Sequence, residues 1–523
     1  MNTAISASLE NQLRILRVTL ELESPLALAS GDSSGLFDSP CAVDANGLPC
    51  LPGTSLAGAL RAWWRQNLNH QYLDPDWFGF VPMGEEVAAA QRSRLHISMG
   101  HIHNASNQPV DAPEPRSQLQ TDPILGPLLG AQMPVREHVR LTGRGAAADA
   151  AKFDRSHVPA GHRFTFQIQL RLRSDNAASW ETARTALLAA MNNGEIVLGG
   201  ASRTGLGRIT VADARELLLK LPADVEKVSL HQSLTSKLKA PSLLSQLSRP
   251  QPARVSSLPL PAAHIDIQLE LAAIDLWRVG SSGAEILSMA DDRQPDTQPY
   301  SEHHVDWSGQ KAKLEVRKVV PGSGIKGALA HRTTFHFNRR CARWATQEGD
   351  LAPLEAVTAL FGQALDDGSG HAGCVRVADA TLVSVPRATR HDQPHVRLDR
   401  FTGGAWNGAL FSESLLSSGG IALQMRINPQ PLLAKHSQAN GAEILALADA
   451  LADLGEGRLS LGAGVARGLG RFRFIDAKQA EKVLQQLKHL GQAIADQMAN
   501  LAQAPVADSP NTAQPTAEVQ PHV

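Results

Sequence analysis

Apolar and polar residues alternate from Arg14 to Leu22 (RILRVTLEL), and the same alternation returns from Ile265 to Leu271 (IDIQLEL). A period of two buries one face of an extended chain, so each run predicts a half-buried β-strand. Downstream of each strand the spacing changes. A Pro-Gly turn, Pro52-Gly53 or Pro321-Gly322, leads into SLAGALRAWWRQNL or SGIKGALAHRTTFHFNRR, both with helical spacing. Ala/Leu-rich helices are then predicted over Ser179–Asn192 and Gly441–Leu454, each followed by a glycine-rich loop and a short β-type run (RITV; RFRFI). Strand, helix, strand, helix and strand in that order predict an α+β unit of the ferredoxin-like kind, with an antiparallel sheet.

The unit occurs twice. Pro52-Gly53-Thr54-Ser55-Leu56-Ala57-Gly58-Ala59-Leu60 recurs as Pro321-Gly322-Ser323-Gly324-Ile325-Lys326-Gly327-Ala328-Leu329, an offset of 269. His138-Val139-Arg140-Leu141 recurs at 395–398 with an offset of 257, and Gly205-Leu206-Gly207-Arg208 at 468–471 with an offset of 263. Three matches in one order at nearly constant offset point to duplication. The Ser/Pro/Leu-rich stretch between the copies reads as a linker, and the Ala/Pro/Gln/Thr-rich end as a disordered tail. The expected division is a first domain over 1–228, a linker over 229–263, a second domain over 264–503 and a tail over 504–523.

Composition narrows the classes. The chain has 523 residues, 43% apolar and 19% charged, which is ordinary for globular domains. Four cysteines without a C-x-x-C pair make neither a disulfide framework nor a zinc ribbon. Neither a signal peptide nor an apolar run of membrane-spanning length is read, so a cytoplasmic protein with no membrane partner is expected. Fifty Lys and Arg against 51 Asp and Glu exclude a uniformly basic nucleic-acid binder. The neutral sum hides segregation: residues 308–345 hold nine Lys or Arg and one acid, and residues 266–300 seven acids and two bases. A local basic track is therefore compatible with the total.

The glycine-rich loops, 199–208 and 462–471, each contain one Arg and end on another: Arg203 and Arg208, then Arg467 and Arg471. They follow a helix and open a strand, the reverse of a dinucleotide-binding loop, and a cation among exposed backbone N–H groups suits an extended phosphate backbone. An ordinary tight hairpin would use the same glycines. The Pro-Gly turns offer Thr54, Ser55 or Ser323 as helix caps, with Arg61 and Arg65 or Lys326 and Arg332 following. Asp38, in a Ser/Gly-rich loop before the first turn, is either a turn former or a group set against a phosphodiester, where it could hold a divalent ion or position a 2′-hydroxyl. In the second copy that loop is longer and carries Asp291, Asp292, Asp296 and Asp306, of which Asp306 lies 15 residues before Pro321, close to the 14 separating Asp38 from Pro52. His96, His101 and His103 lack the carboxylate or cysteine partners of a metal site and read as structural. His336, beside Arg339 and Arg340, reads as part of a basic face. With 4% aromatic residues, base stacking of the RRM kind is not expected, and the backbone is the handle for any RNA.

Together these residues resemble the RAMP superfamily of CRISPR-associated proteins, and within it the backbone subunits of type III effector complexes. Phe37-Asp38-Ser39-Pro40 followed by Leu51-Pro52-Gly53-Thr54-Ser55-Leu56-Ala57-Gly58 is similar to the family's Asp-x-Pro loop and Leu-Pro-Gly helix start. His138-Val139-Arg140-Leu141-Thr142-Gly143 and Val396-Arg397-Leu398-Asp399-Arg400-Phe401-Thr402-Gly403 resemble the entry to its β-hairpin "thumb", and both glycine loops its C-terminal signature. The family's Lys after the turn is Ala57 in the first copy and is kept as Lys326 in the second. Two copies in one chain, without zinc-finger cysteines, resemble a type III-D-like subunit.

The resemblance implies two tandem α+β, RRM/ferredoxin-like RAMP domains with β-hairpin thumb insertions, a guide RNA held along its backbone, a complementary target RNA, and other effector subunits as partners. It also implies cleavage of the target by the loop Asp with Mg2+ or another divalent metal, which falls on Asp38, with Asp306 as the candidate in the second copy. No set of metal ligands is read beyond them. The residues expected at RNA are Thr54, Ser55, Arg61, Arg140, Gly200, Arg203, Gly205 and Arg208, then Ser323, Lys326, Arg332, Arg397, Arg400, Gly464, Arg467 and Arg471. Two alternatives stand beside this reading: a scaffold that binds guide without cutting, and a metal-independent, His-dependent guide-processing endoribonuclease.

Overall fold

A computed structural model describes residues 12–31, 38–67, 75–79, 90, 92–142, 147–172, 177–220, 241–246, 264–281, 295–343, 355–363, 370–383, 388–433 and 441–503. The expected tail and most of the expected linker lie outside them. The exception is 241–246, where Leu243 enters the first core and donates its N–H to the Ala214 carbonyl at 2.8 Å.

The first copy is built on β1 (Gln12–Leu22). Leu16, Val18, Leu20 and Leu22 are buried in it and the residues between them are half-buried, as alternation requires. The elements that follow are β2 (Cys50–Leu51), α1 (Gly53–Asn67), β3 (Leu95–Ile97), β4 (Gly100–Ile102), β5 (Val135–Leu141), β6 (Ala147–Ser156), β7 (Arg163–Leu172), α2 (Ala177–Asn192) and β8 (Ile209–Lys220). The sheet order is β2-β4-β7-β1-β8, with β3 also on β7 and β1 antiparallel to both neighbours. Leu56, Leu60 and Trp64 of α1 lie on one helix face, and Trp64 and Trp180 of α2 both pack on Trp77, at 5.5 and 5.8 Å between ring centroids. Strands β5 and β6 form a separate hairpin, the first thumb.

The second copy repeats the plan with β9 (Ile265–Ala273), β10 (Ser301–Asp306), β11 (Lys313–Val320), α3 (Gly322–Arg340), α4 (Glu355–Phe361), β12 (Val375–Val377), β13 (Ala380–Val383), β14 (Thr389–Leu398), β15 (Ala405–Ser417), β16 (Gly420–Ile427), α5 (Ala442–Gly455), β17 (Phe472–Phe474) and α6 (Ala477–Gln503). Its sheet runs β10-β11-β13-β16-β9-β17, with β12 on β16, and β14–β15 is the second thumb. Helix α5 is apolar nearly all round because α6 covers it with Val483, Leu487, Leu490 and Ile494. The first copy has no counterpart of α6 among the described residues.

Duplication extends to single hydrogen bonds. Leu26 exchanges backbone bonds with Val158 as Trp277 does with Leu416, and Gly207 donates to Pro25 as Gly470 does to Leu276. The offset is 258 at the thumbs, where Ser156 donates to the Ser39 carbonyl and Ser414 to that of Thr297, but 269 at the Pro-Gly turn. The second copy therefore carries 11 extra residues just before its turn. They lengthen this stretch into the β10–β11 hairpin, which packs into the first copy: Val305 and Ala312 belong to the first core and donate their N–H groups to the carbonyls of Ala160 and Ala105. Trp307 donates Nε1–H to the Gly161 carbonyl at 2.7 Å, and Arg163 lies over its ring at 4.3 Å.

The seam between the copies is polar at its centre. Arg136 of the first thumb is buried against Glu302 and Asp379 of the second copy, and Tyr300 donates its hydroxyl to Glu302 at 2.5 Å. Around this lie His157 and His162, both buried, with His303 and His304 across the seam. Burial, then Arg136, pushes His157 down to about 4; burial, then His304 and His303, pushes His162 down to about 3. A histidine held neutral in the fold but protonated near 6.5 when unfolded stabilises fully above 6.5, and that stability is lost as pH falls toward the folded value. Thermal midpoints should therefore drop between pH 6.5 and 5, and His162→Phe should flatten that drop. A profile unchanged by the substitution would contradict the assignment.

Candidate nucleic-acid interface

The Pro-Gly turns open helices as predicted, but not through hydroxyl caps. Pro321 occupies the cap position of α3, and the first free N–H, that of Gly322, is taken by Asp379 Oδ1 at 2.8 Å. Thr54 and Ser55 stand exposed in the first turn of α1, where Ser55 bonds its N–H to the Pro52 carbonyl. Ser323 lies in a groove of about 390 Å³ between the first thumb and the start of α3, lined also by His138, Lys152 and Tyr300.

At the seam, two basic residues singled out in different copies come together. The first copy's glycine loop lies on the second copy's sheet: Arg203 donates Nε–H to the Gly373 carbonyl, and its own carbonyl accepts the Val377 N–H at 3.2 Å. Gly205, at φ +109, leaves no room for a side chain, since a Cβ there would lie 2.2 Å from Asp379 Oδ1. Arg203 thereby reaches the neighbourhood of Lys326 in the first turns of α3 and of Arg376 in β12. Burial, then Arg203, lowers the Lys326 ammonium to about 8, and burial, then Arg203 and Arg426, lowers Arg376 to about 10. Arg426 is matched by Asp266 at 2.6 Å, and Arg208 by Glu23 at 2.9 Å and Gln424 at 2.8 Å. Arg376 Nη1 is buried and makes no hydrogen bond. Half-buried cations gathered around Arg203, which pushes Lys326 and Arg376 down, are the electrostatic signature of a site for an anion.

Arg376 escaped the sequence reading. Its signal was a charge between two apolar strand residues in Val375-Arg376-Val377, a pattern that also describes any half-buried strand.

Several expected contacts are spent inside the protein. Arg332 pairs with buried Asp453 at 2.5 Å, and His336 bonds the same carboxylate at 2.7 Å. Arg339 and Arg340 pair with Asp449, so much of the basic run over 308–345 is neutralised by α5. Arg61 bonds the Gly79 carbonyl at 2.9 Å, Arg467 pairs with Glu413 at 3.0 Å, and Arg471 bonds the Gly457 carbonyl at 3.1 Å. Gly464 takes a left-handed conformation (φ +74) at the head of the turn carrying Arg467, and Gly200 donates its N–H to the Ala27 carbonyl. Arg140 and Arg400 are exposed on the thumbs, and Arg397 stacks over Trp406 at 4.7 Å.

The thumbs present apolar groups to solvent. Phe401 is 99% exposed and Trp406 49%, and Val139 and Leu141 are exposed on the first thumb. Few aromatics exist in the chain, but these lie where a nucleic acid could stack on them. At each thumb base a histidine stacks on a phenylalanine, His138 on Phe153 at 5.0 Å and His395 on Phe411 at 4.9 Å. Burial, then Arg155, drives His138 down to about 4.

Asp38 is exposed beside the first thumb and bonded to Asp154 of β6. Its structural counterpart is not Asp306. Asp306 closes the β10–β11 hairpin, where it accepts the Ser308 hydroxyl at 2.7 Å and faces Lys313 at 3.7 Å. The position equivalent to Asp38 belongs to Asp296, which bonds Ser412 of β15: each aspartate pairs with a residue 116 further on. Distance from Pro321 does not identify Asp296, because the lengthened β10–β11 hairpin lies between the two. Among the described residues, no three or more His, Cys, Asp or Glu side chains gather to hold a metal, and no helix is long and apolar enough to cross a membrane.

The model of one protein family, the RAMP superfamily, matches residues 19–210 and 312–473, more than half of the chain and one region in each copy. No curated protein matches it.

Proposed function

Because the chain belongs to the RAMP superfamily, whose members are CRISPR-associated RNA-binding proteins, we propose that it holds a guide RNA by its phosphates across the seam between its two copies and cleaves target RNA paired to that guide. In this reading it is a backbone subunit of a type III effector, of the two-copy, type III-D-like kind, working with other effector subunits in the cytoplasm. The observation that carries the binding is the meeting of Arg203, Lys326 and Arg376, half-buried cations from both copies with an unspent donor among them. A phosphodiester supplies the missing charge and acceptors.

The cleavage reading rests on equivalent placement of Asp38 and Asp296 beside the two thumbs. In-line cleavage joins the 2′-oxygen to the neighbouring phosphorus, expels the 5′-oxygen, and leaves a 2′,3′-cyclic phosphate and a 5′-hydroxyl. The 2′-hydroxyl proton leaves as the new bond forms, an exposed carboxylate on that hydroxyl can orient it or receive the proton, and solvent returns a proton to the departing 5′-oxygen. Magnesium is usually held by one or two carboxylates together with substrate phosphates, and Asp38 or Asp296 offers such a carboxylate. A divalent ion bound there would offset charge on the scissile phosphate.

Asp38→Ala, assembled with guide RNA and the partner subunits, should lower cleavage at one of two target positions by about 100-fold or more and leave target binding intact. Asp296→Ala should do the same at the other position. Cleavage unchanged at every position with full binding would leave the chain a non-catalytic scaffold.

A further inference from the structure

We propose that Asp154 is a positioning residue for Asp38, and that Ser412 fills the same role for Asp296 with a different side chain. This rests on the cleavage reading above. Asp38 lies outside every strand and helix, so its carboxylate must be held by other contacts, and the thumb provides them. The Asp154 N–H donates to Asp38 Oδ2 at 2.9 Å, and the Asp38 N–H donates back to Asp154 Oδ1 at 2.8 Å. One residue along, the Ser39 carbonyl accepts both the N–H and the hydroxyl of Ser156, each at 3.2 Å. The loop is thus joined to β6 by both its backbone and its carboxylate.

The second copy keeps the geometry with other chemistry. Ser412 donates its N–H to Asp296 Oδ2 at 2.6 Å and its hydroxyl to the same oxygen at 3.1 Å, while the Asp296 N–H donates to Ser412 Oγ at 3.2 Å. In both copies the bond to the thumb is made through Oδ2, which leaves Oδ1 to meet substrate. The side chain at 154 or 412 has one shared task, accepting the aspartate N–H. An Asp and a Ser both do this, and an Ala cannot. A loop that loses this bond swings its carboxylate out of line with the reacting oxygen, and small misplacements weaken catalysis more than they weaken binding.

The test compares Asp154→Ala, Asp154→Asn and Asp154→Ser in the complex assembled with guide RNA, using the cut assigned to the second copy as internal control. With Ala, the single-turnover rate at the first copy's cut should fall about 10- to 100-fold at unchanged target affinity. Asn and Ser, which keep an acceptor, should recover most of that loss. Amide exchange at Asp38 in the same variants, read without any cleavage, should quicken in Ala and stay slow in Asn. Wild-type cleavage in Asp154→Ala, an Asn variant as slow as Ala, or an equal fall at both cuts would each overturn the inference. A wild-type complex that binds target without cutting would overturn the cleavage reading first, a result distinct from these three.

Discussion

Replacing Arg203 and Lys326 together by Ala should weaken single-stranded RNA binding by about 100-fold near 0.15 M salt, and should lower the slope of log affinity on log salt by about 1.4. The effect comes from charge in a confined place. Each phosphate neutralised on a single strand contributes about 0.7 to that slope, and the pair accounts for two contacts. Both side chains are half-buried, and Arg203 pushes both Lys326 and Arg376 down, so the free protein bears a repulsion that a bound phosphate relieves. Anisotropy titrations at three salt concentrations measure both quantities. The ammonium at about 8 adds a sign. Raising the pH from 7 to 9 discharges Lys326 and should weaken binding, whereas Lys326→Arg should bind almost evenly over that range. Arg332→Ala is the contrast: its guanidinium is committed to Asp453, so it should lower stability and leave RNA affinity unmoved. If Arg332→Ala weakened binding as much as the double variant, the track would run along α3 and not across the seam.

The fold was legible wherever a short period encodes it. The strands at 14–22 and 265–271 and the helices after each Pro-Gly turn emerge within a few residues of their expected ends, because alternating burial and helical spacing are local properties. Asp296 stands among the loop aspartates in the sequence, but its equivalence to Asp38 was hidden for a different reason. Register along a sequence assumes equal loop lengths, and the β10–β11 hairpin breaks that assumption while leaving the pairing with the thumb unchanged. The basic run over 308–345 misled in the opposite sense. Counting charges finds Arg332, Arg339 and Arg340, but their partners Asp453 and Asp449 lie more than a hundred residues away on α5. Arg203 and Lys326 could be picked out singly from their motifs. That they share one site depends on how one copy lies on the other, and no local pattern contains that.

Arg136→Met should destabilise the seam by about 3–5 kcal/mol at pH 7.5, the usual cost of leaving a buried carboxylate without its cation. Arg136 joins Glu302 and Asp379 through Nη2 at 2.7 and 2.6 Å, and Asp379 in turn holds the Gly322 N–H at the head of α3. Burial alone would raise Glu302, but Arg136 outweighs it and holds the carboxyl down at about 2. The pH dependence of the variant therefore separates this account from a simple packing defect. Without the guanidinium, burial is left to act on Glu302, so its folded pKa rises above its unfolded value. A group of that kind favours the fold at low pH and loses the advantage as pH rises through the folded value. His157, 3.6 Å from Glu302, is also freed from Arg136 and can take up a proton in its place. The gap between wild type and variant should thus narrow steadily from pH 7.5 to 5.5, although the wild type itself loses stability over that span through His162. Amide exchange at Val305 and Ala312, whose N–H groups donate across the seam, reads this locally without assuming that the two copies unfold together. A gap constant with pH would mean that the loss comes from packing around the Arg136 stem, and that the charge itself contributes little.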